Sequence, residues 1–490
     1  MMPVLDCRNL TITYPSGETP VCDVSFQVHP GECFALVGGS GAGKSTIAKA
    51  LIGLHRPGTH VTGQMYLNGR DMIPADSRTW QNVRGRQVGF IAQNPWAACD
   101  PLRAVRDHVV EAWRCHDMVQ DWREIAQRLE SLDVESAATR MVQRPHTWSG
   151  GMLQRASITA AAALDCPLII ADEPTSALDA DRAQAVLDVL RALGRAVLLI
   201  SHDVELVLRN ADRISVLHQG RLVETGTPDT LRCAPAQAET VRLLSALSPL
   251  PSRNIKPPSP PLLQLSHVSV DYDRGRVQVI EDASLSIAAG EIVGLQGPSG
   301  CGKSTLLRLV MGLEQPSSGQ VIRTPELSRP AAISPVFQDP VSSLVPHWPI
   351  WRSIAEPLTA PHKRRLNRTA LLDKALAALA SVGLETIDPE ARPNELSIGQ
   401  CQRAALARAM IGQPVMITAD EPTSALDSPS THQISVLLRA AAEAGTAVLI
   451  VSHDQRFLTR LADRVITMTQ GRTMGSEPSD AWASMGADHQ

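Results

Sequence analysis

Nine consecutive residues, Gly38-Gly39-Ser40-Gly41-Ala42-Gly43-Lys44-Ser45-Thr46, have the make-up of a phosphate cradle. They fit G-x-x-x-x-G-K-[ST]. Glycines let successive backbone N–H groups turn inward onto phosphate oxygens. Lys44 reaches the β- and γ-phosphates, and the Ser45 hydroxyl suits Mg²⁺. The flanks agree: Cys33 to Val37 is a short apolar run of the kind a buried parallel strand needs, and Ile47 to Leu54 reads as the helix that follows. The N-terminus of such a helix favours anionic charge.

Further chemistry follows in a fixed order. Tyr14 precedes the loop and could stack on an adenine ring. Val88 to Ala92 is a buried strand ending at Gln93, whose amide could meet both Mg²⁺ and an attacking water. Trp148-Ser149-Gly150-Gly151-Met152 opens an amphipathic helix, a second anion-binding N-terminus. Leu168 to Ala171 is an apolar strand ending in two acids. Asp172 is placed to hold Mg²⁺, and Glu173 to polarise the attacking water as a general base. Ser176-Ala177-Leu178-Asp179 comes next, and then the strand Ala196 to Ile200 runs into Ser201-His202-Asp203, where His202 could contact a γ-phosphate. Taken singly, the tyrosine, the glutamine and the histidine each have an ordinary structural explanation. The series is what gives them a role.

The series then repeats. Gly297-Pro298-Ser299-Gly300-Cys301-Gly302-Lys303-Ser304-Thr305 follows the apolar stretch Ile292 to Gln296, and Lys303 lies 259 positions after Lys44 (303 − 44). Tyr272, Gln338, Leu396-Ser397-Ile398-Gly399-Gln400, Asp420-Glu421, Ser424 to Asp427 and His453 complete the second copy. A repeat of this many motifs in one order removes chance as an explanation.

The elements needed to position these groups set the domain plan. At 490 residues with 43% hydrophobic content, the chain is long enough for two cored domains. We expect a first domain over 1–245 with a helical insertion at about 97–145 and a proline-rich linker at 246–262. A second domain follows over 263–475 with an insertion at about 341–395, and then a tail at 476–490 expected to be disordered. No uninterrupted apolar run of about 18 residues exists, so no membrane span is expected, and no signal peptide is visible at the N-terminus. A net charge of −4 argues against a nucleic-acid partner. The nine cysteines are scattered and never spaced C-x-x-C, which suits free thiols in a reducing cytoplasm better than disulfides or zinc.

On these motifs the chain resembles a tandem ATP-binding cassette (ABC) ATPase over nearly its whole length. The resemblance implies an α/β fold: two P-loop NTPase cassettes, each a RecA-like core with an antiparallel β subdomain and an all-α insertion. It also implies two ATP molecules with Mg²⁺. One would use Lys44, Ser45, Gln93, Asp172, Glu173 and His202 with Ser397, Gly399 and Gln400. The other would use Lys303, Ser304, Gln338, Asp420, Glu421 and His453 with Ser149, Gly150, Gly151 and Met152. Ser45, Gln93 and Asp172, and likewise Ser304, Gln338 and Asp420, would serve the metal. Ile398 departs from the family's glycine. A β-branched residue resists left-handed backbone and crowds close approach, so the site that uses Ser397 and Gly399 is expected to be the slower. Met152 in place of glutamine is a milder change.

The segments Gln93-Asn94-Pro95, Gln338-Asp339-Pro340 and Ile354-Ala355-Glu356-Pro357-Leu358 resemble the peptide/nickel importer branch. That resemblance implies two separate transmembrane permeases, an extracytoplasmic substrate-binding protein, and a place on the cytoplasmic face of the membrane. Cargo would be peptide, nickel, a metal chelate or a glutathione-like molecule. Many relatives carry a cysteine cluster for an iron–sulfur centre after the first cassette. Only Cys233 lies there, so no cluster is expected. The alternative is a soluble twin-cassette ATPase acting on ribosomes or nucleic acid. It fits less well with a short proline-rich linker, no zinc spacing and an acidic balance.

Overall fold

The structure is a computed structural model. It describes residues 2–39, 41–175, 178, 180–248, 250, 261–272, 277–298, 300–329, 331–359, 367–423 and 426–478. Ser40, Ser299, Ser176, Ala177, Asp179, Ser424, Ala425, most of the proline-rich linker and the last dozen residues lie outside the described residues. The chain divides into two compact units, Met1–Leu247 with Asp427–Pro429 and Ser248–Leu426 with Ser430–Gln490.

In the first unit a six-stranded sheet runs in the order Arg221–Gly226, Arg213–His218, Cys33–Val37, Ala196–Ile200, Leu168–Asp172, Val88–Ile91. All neighbours are parallel except the first pair. The P-loop strand Cys33–Val37 is buried at every position because both of its faces are covered. Phe34 and Leu36 enter a core shared with the antiparallel sheet, while Ala35 and Val37 enter a second core under helices on the other face. The antiparallel sheet has the order Val21–Val28, Leu5–Thr13, His60–Leu67, Arg70–Asp71.

The expected helical insertion contains the helices Val105–Val109, Glu111–Cys115, Trp122–Glu130 and Ala137–Arg140. They bury a core of their own around Val109, Trp113, Ile125 and Leu129. The helix Gly150–Ala161 joins that core to the sheet: Leu153 and Ala156 pack into the insertion, Ile158 and Ala161 against the sheet. One helix thereby packs against both the insertion and the sheet.

The second unit repeats the plan. Its sheet order is Ile333–Val336, Met416–Asp420, Ala447–Val451, Ile292–Gln296, Arg464–Thr469, Arg472–Pro478, with an antiparallel sheet of Val277–Ile287, Leu263–Tyr272 and Ser318–Arg323. Its insertion helices Ile350–Ala355 and Arg368–Ser381 pack against the helix Ile398–Ile411 through Ile354, Leu379, Cys401 and Ala404.

Candidate nucleotide-hydrolysing sites

Each P-loop leaves the C-terminal end of a central strand and enters a helix at its lysine. The helices are Lys44–Ala50 and Lys303–Met311, so the first begins three residues earlier than the apolar pattern from Ile47 indicates. The reason is the residue before it. Gly43 has φ 106°, a left-handed value that turns the chain straight into the helix. A Cβ there would lie 2.4 Å from the Pro20 carbonyl oxygen. Gly302 repeats this geometry with φ 106°.

Lys44 Nζ donates to the carbonyl oxygens of Gly38 and Gly39 at 2.8 and 2.9 Å. Lys303 Nζ does the same with Gly297 and Pro298 at 2.7 and 2.8 Å. Burial draws the Lys44 ammonium below its ordinary value, against the pull of Glu173 and Asp172. Gly41 and Gly300 lie within the same turns, with φ 77° and 80°.

The strand order places the acids beside the loops. Ser45 Oγ donates to Asp172 Oδ1 at 3.1 Å, and Ser304 Oγ donates to Asp420 Oδ2 at 3.2 Å. Burial pushes both aspartates up, and the serine hydrogen bonds oppose it. A hydroxyl beside one carboxylate is an all-oxygen donor set of the kind Mg²⁺ uses when phosphates supply its remaining ligands.

Glu173 and Glu421 sit one residue on, with φ 50° and 47°. A left-handed glutamate is strained backbone, the kind that clusters at working sites. Each is pinned by its own N–H, which donates to Ile200 O at 2.8 Å or Val451 O at 2.9 Å. Sequence patterning carries no signal for this turn. Gln93 Nε2 donates to Glu173 Oε2 at 2.6 Å, and His202 Nδ1 lies 3.3 Å from Glu173 Oε1. In the second unit His453 Nδ1 and Glu421 Oε2 are 2.8 Å apart, while Gln338 makes no hydrogen bond to Glu421. Burial opposes ionisation of Glu173, but His202, Lys44 and Gln93 outweigh it and hold the carboxyl below its ordinary range. The His453 hydrogen bond does the same for Glu421. Both histidines are raised by those same bonds.

The two tyrosines are tethered through their hydroxyls. Tyr14 Oη and Thr46 Oγ1 are 2.8 Å apart, which ties the ring to the P-loop helix. Tyr272 instead donates to Glu314 Oε2 at 2.9 Å; Thr305, the counterpart of Thr46, is buried.

Ser149 and Ser397 cap the helices Gly150–Ala161 and Ile398–Ile411, accepting from the N–H of Met152 and Gln400. Gln400 Oε1 also accepts from the Ser397 N–H at 2.8 Å, closing a reciprocal capping box that Met152 cannot make. One expectation needs correcting here. Ile398 does not occupy left-handed backbone. Like Gly150, it is the first helical residue after its cap, and neither Gly150, Gly151 nor Gly399 has positive φ. What separates Ile398 from glycine is only its side chain, which stands 49% exposed over the first turn.

Two units, each with a P-loop on a parallel strand and an Asp-Glu pair on the next strand but one, define a tandem P-loop nucleotide hydrolase. A family model described as "ABC transporter" matches residues 21–176 and 280–424. The chain is 34% identical over 508 residues to "Peptidoglycan transport ATP-binding protein YejF" of Agrobacterium fabrum, covering 97% of this chain and 93% of that one. It is 31% identical to "Glutathione import ATP-binding protein GsiA" of Pectobacterium atrosepticum (97% and 86% covered). It is 30% identical to "Oligopeptide transport ATP-binding protein OppD" of Mycobacterium tuberculosis (98% and 96% covered). The chain belongs to the ABC transporter family. It is a tandem ABC ATPase, with the α/β double-cassette fold its motifs imply.

Proposed function

We propose that this chain is the motor of an importer for peptides or peptide-like fragments, with two separate transmembrane permeases and an extracytoplasmic binding protein as partners. The observation that carries the reading is the double placement of a serine hydroxyl against an aspartate and a histidine against a glutamate. It occurs in a chain whose relatives are named for peptidoglycan, glutathione and oligopeptide transport over most of their lengths. Among the described residues no helix is long and apolar enough to cross a membrane, which fits peripheral attachment at the cytoplasmic face.

Two ATP molecules bind, each on one cassette's P-loop with the signature of the other. In one site Lys44 and the Gly38–Thr46 amides hold the phosphates, Tyr14 the base, and Ser149-like contacts come from Ser397, Gly399 and Gln400. In the other, Lys303, Thr305 and Tyr272 act with Ser149, Gly150 and Gly151. Ser45 and Asp172, with Gln93, would hold Mg²⁺ in the first; Ser304 and Asp420, with Gln338, would hold it in the second. The metal would neutralise phosphate charge. Glu173 and Glu421 orient water and accept its proton, and His202 and His453 hold those carboxylates and sense the γ-phosphate. ATP binding closes the cassettes and moves the permeases, and hydrolysis resets them.

The test is purification of the tagged chain from native membranes in mild detergent with ATP and Mg²⁺. Two polytopic partners are expected. ATPase activity of the reconstituted complex should rise with binding protein loaded with short peptides, and not with binding protein offered a nickel chelate. Recovery with ribosomal proteins and no membrane partner would sink the importer reading.

A further inference from the structure

The two base-binding tyrosines face loops of opposite charge. After the P-loop helix the first cassette reads Leu54-His55-Arg56-Pro57, and the second reads Leu313-Glu314-Gln315-Pro316. Arg56 and Gln315 are 259 positions apart (315 − 56), the same offset as the P-loop lysines, so the residues correspond. The Arg56 guanidinium lies over the Tyr14 ring, 5.6 Å from its centroid. Its loop is seated against the tyrosine's own turn, since a Cβ on Gly58 would lie 3.1 Å from Pro15 Cγ. Tyr14 in turn is tied by its hydroxyl to Thr46 in the P-loop. In the second cassette the loop contributes a carboxylate, Glu314, to the tyrosine hydroxyl and a neutral glutamine where Arg56 stands.

We propose that Arg56 is a nucleotide-affinity residue of the first cassette: it closes over the base stacked on Tyr14, so that this cassette holds nucleotide more tightly than the second. The inference rests on the reading of Tyr14 as the base platform. The geometry permits it. Two stacked layers need about 7 Å between tyrosine and guanidinium, at roughly 3.5 Å per layer. Arg56 must therefore withdraw by about 1.5 Å from its present 5.6 Å. Its exposed, four-torsion side chain can make that move without disturbing the core. A guanidinium over a π face is attractive, and its charge also favours the phosphates nearby. Glu314 offers the second base neither effect and adds negative charge close to the nucleotide.

The experiment is photolabelling of the full-length chain by 8-azido-ATP at low temperature, chased with rising ATP. Labelled peptides are assigned to each cassette by mass spectrometry. Wild type should need less ATP to protect the first cassette than the second. Arg56→Gln should raise the half-protecting concentration at the first cassette about two- to five-fold and leave the second unchanged. Arg56→Lys should lie between, and Glu314→Gln should tighten the second. Tyr14→Ala separates the two ideas. If it weakens the first cassette while Arg56→Gln leaves it unchanged or tightens it, Arg56 has no such role and the Tyr14 reading stands. If Tyr14→Ala leaves the first cassette's protection as in wild type, the platform reading fails and the Arg56 inference falls with it.

Discussion

Gln93 and Glu173, eighty residues apart in the chain, meet through a 2.6 Å hydrogen bond from Nε2 to Oε2. The glutamine lies two residues beyond the strand Val88–Ile91 and the glutamate one residue beyond its parallel neighbour Leu168–Asp172. The contact joins the entrance of the helical insertion to the residue assigned as general base. Among the described residues the matching pair in the second unit, Gln338 and Glu421, makes no such bond, and the Glu421 carboxylate is held by His453. The two sites are therefore built alike but held differently.

Glutamate replacements should separate the sites. On the proposed pairing of cassettes, Glu421→Gln removes the proposed base at the site that takes the Ser149-Gly150-Gly151 signature, and steady-state ATPase should fall about 100-fold. On the same pairing, Glu173→Gln acts at the site that takes the Ile398-bearing signature and should leave a larger residue of activity. Equal losses in the two variants would contradict the asymmetry.

The His202–Glu173 pair should leave a pH signature in stability. Glu173 is held below its ordinary value of 4.5, and His202 is raised above 6.5. The glutamate's contribution is complete above about 4.5 and is lost as pH falls through its lowered value. The histidine's is complete below about 6.5 and is lost as pH rises through its raised value. The melting difference between wild type and His202→Gln should thus be greatest between about pH 4.5 and 6.5, near 1 kcal/mol. It should shrink on the alkaline side. A difference that grows toward pH 9 would show that another contact dominates.

The caps of the two signature helices differ by one hydrogen bond. Met152→Gln should allow the first to close the box that Gln400 closes in the second, stabilising its cassette by about 0.5–1 kcal/mol. Gln400→Ala should cost the second cassette a similar amount. Differential scanning calorimetry of the full chain would read both shifts.

Gly89 tests the packing of the strand that leads to Gln93. Its φ is ordinary, but a Cβ would lie 2.2 Å from Ala161 O and 3.1 Å from Cys166 Sγ. The obstacle is the backbone at the end of the signature helix. Gly89→Ala should therefore destabilise the first cassette by about 2 kcal/mol and lower ATPase activity, because that helix must shift. Chemical denaturation and steady-state assays would check both effects.

The local chemistry was legible from residue order. P-loop glycines, apolar strand runs, the acids that end them and a capping serine each occupy a few consecutive positions, and the repeat of the series removed ambiguity. The helix start at Lys44 was missed because apolar periodicity begins only at Ile47, while the turn is made by the backbone of Gly43. Ile398 is helical rather than left-handed for a related reason. Ser397-Ile398-Gly399 carries no local pattern that fixes its backbone, and packing of Cys401 and Ala404 into the insertion core selects the helix.

The sequence by itself determined the family, the double cassette, and which side chains can bind phosphate or move a proton, because these depend on residue types at short spacings. Tertiary structure decided who meets whom. The strand order sets Cys33–Val37 beside Ala196–Ile200, with Leu168–Asp172 one strand further. That order brings Ser45 to Asp172 and His202 to Glu173, and lays Arg56 over Tyr14. Those contacts span tens to over a hundred residues. They follow from sheet order and from left-handed turns at two glutamates, and neither leaves a local pattern in the chain.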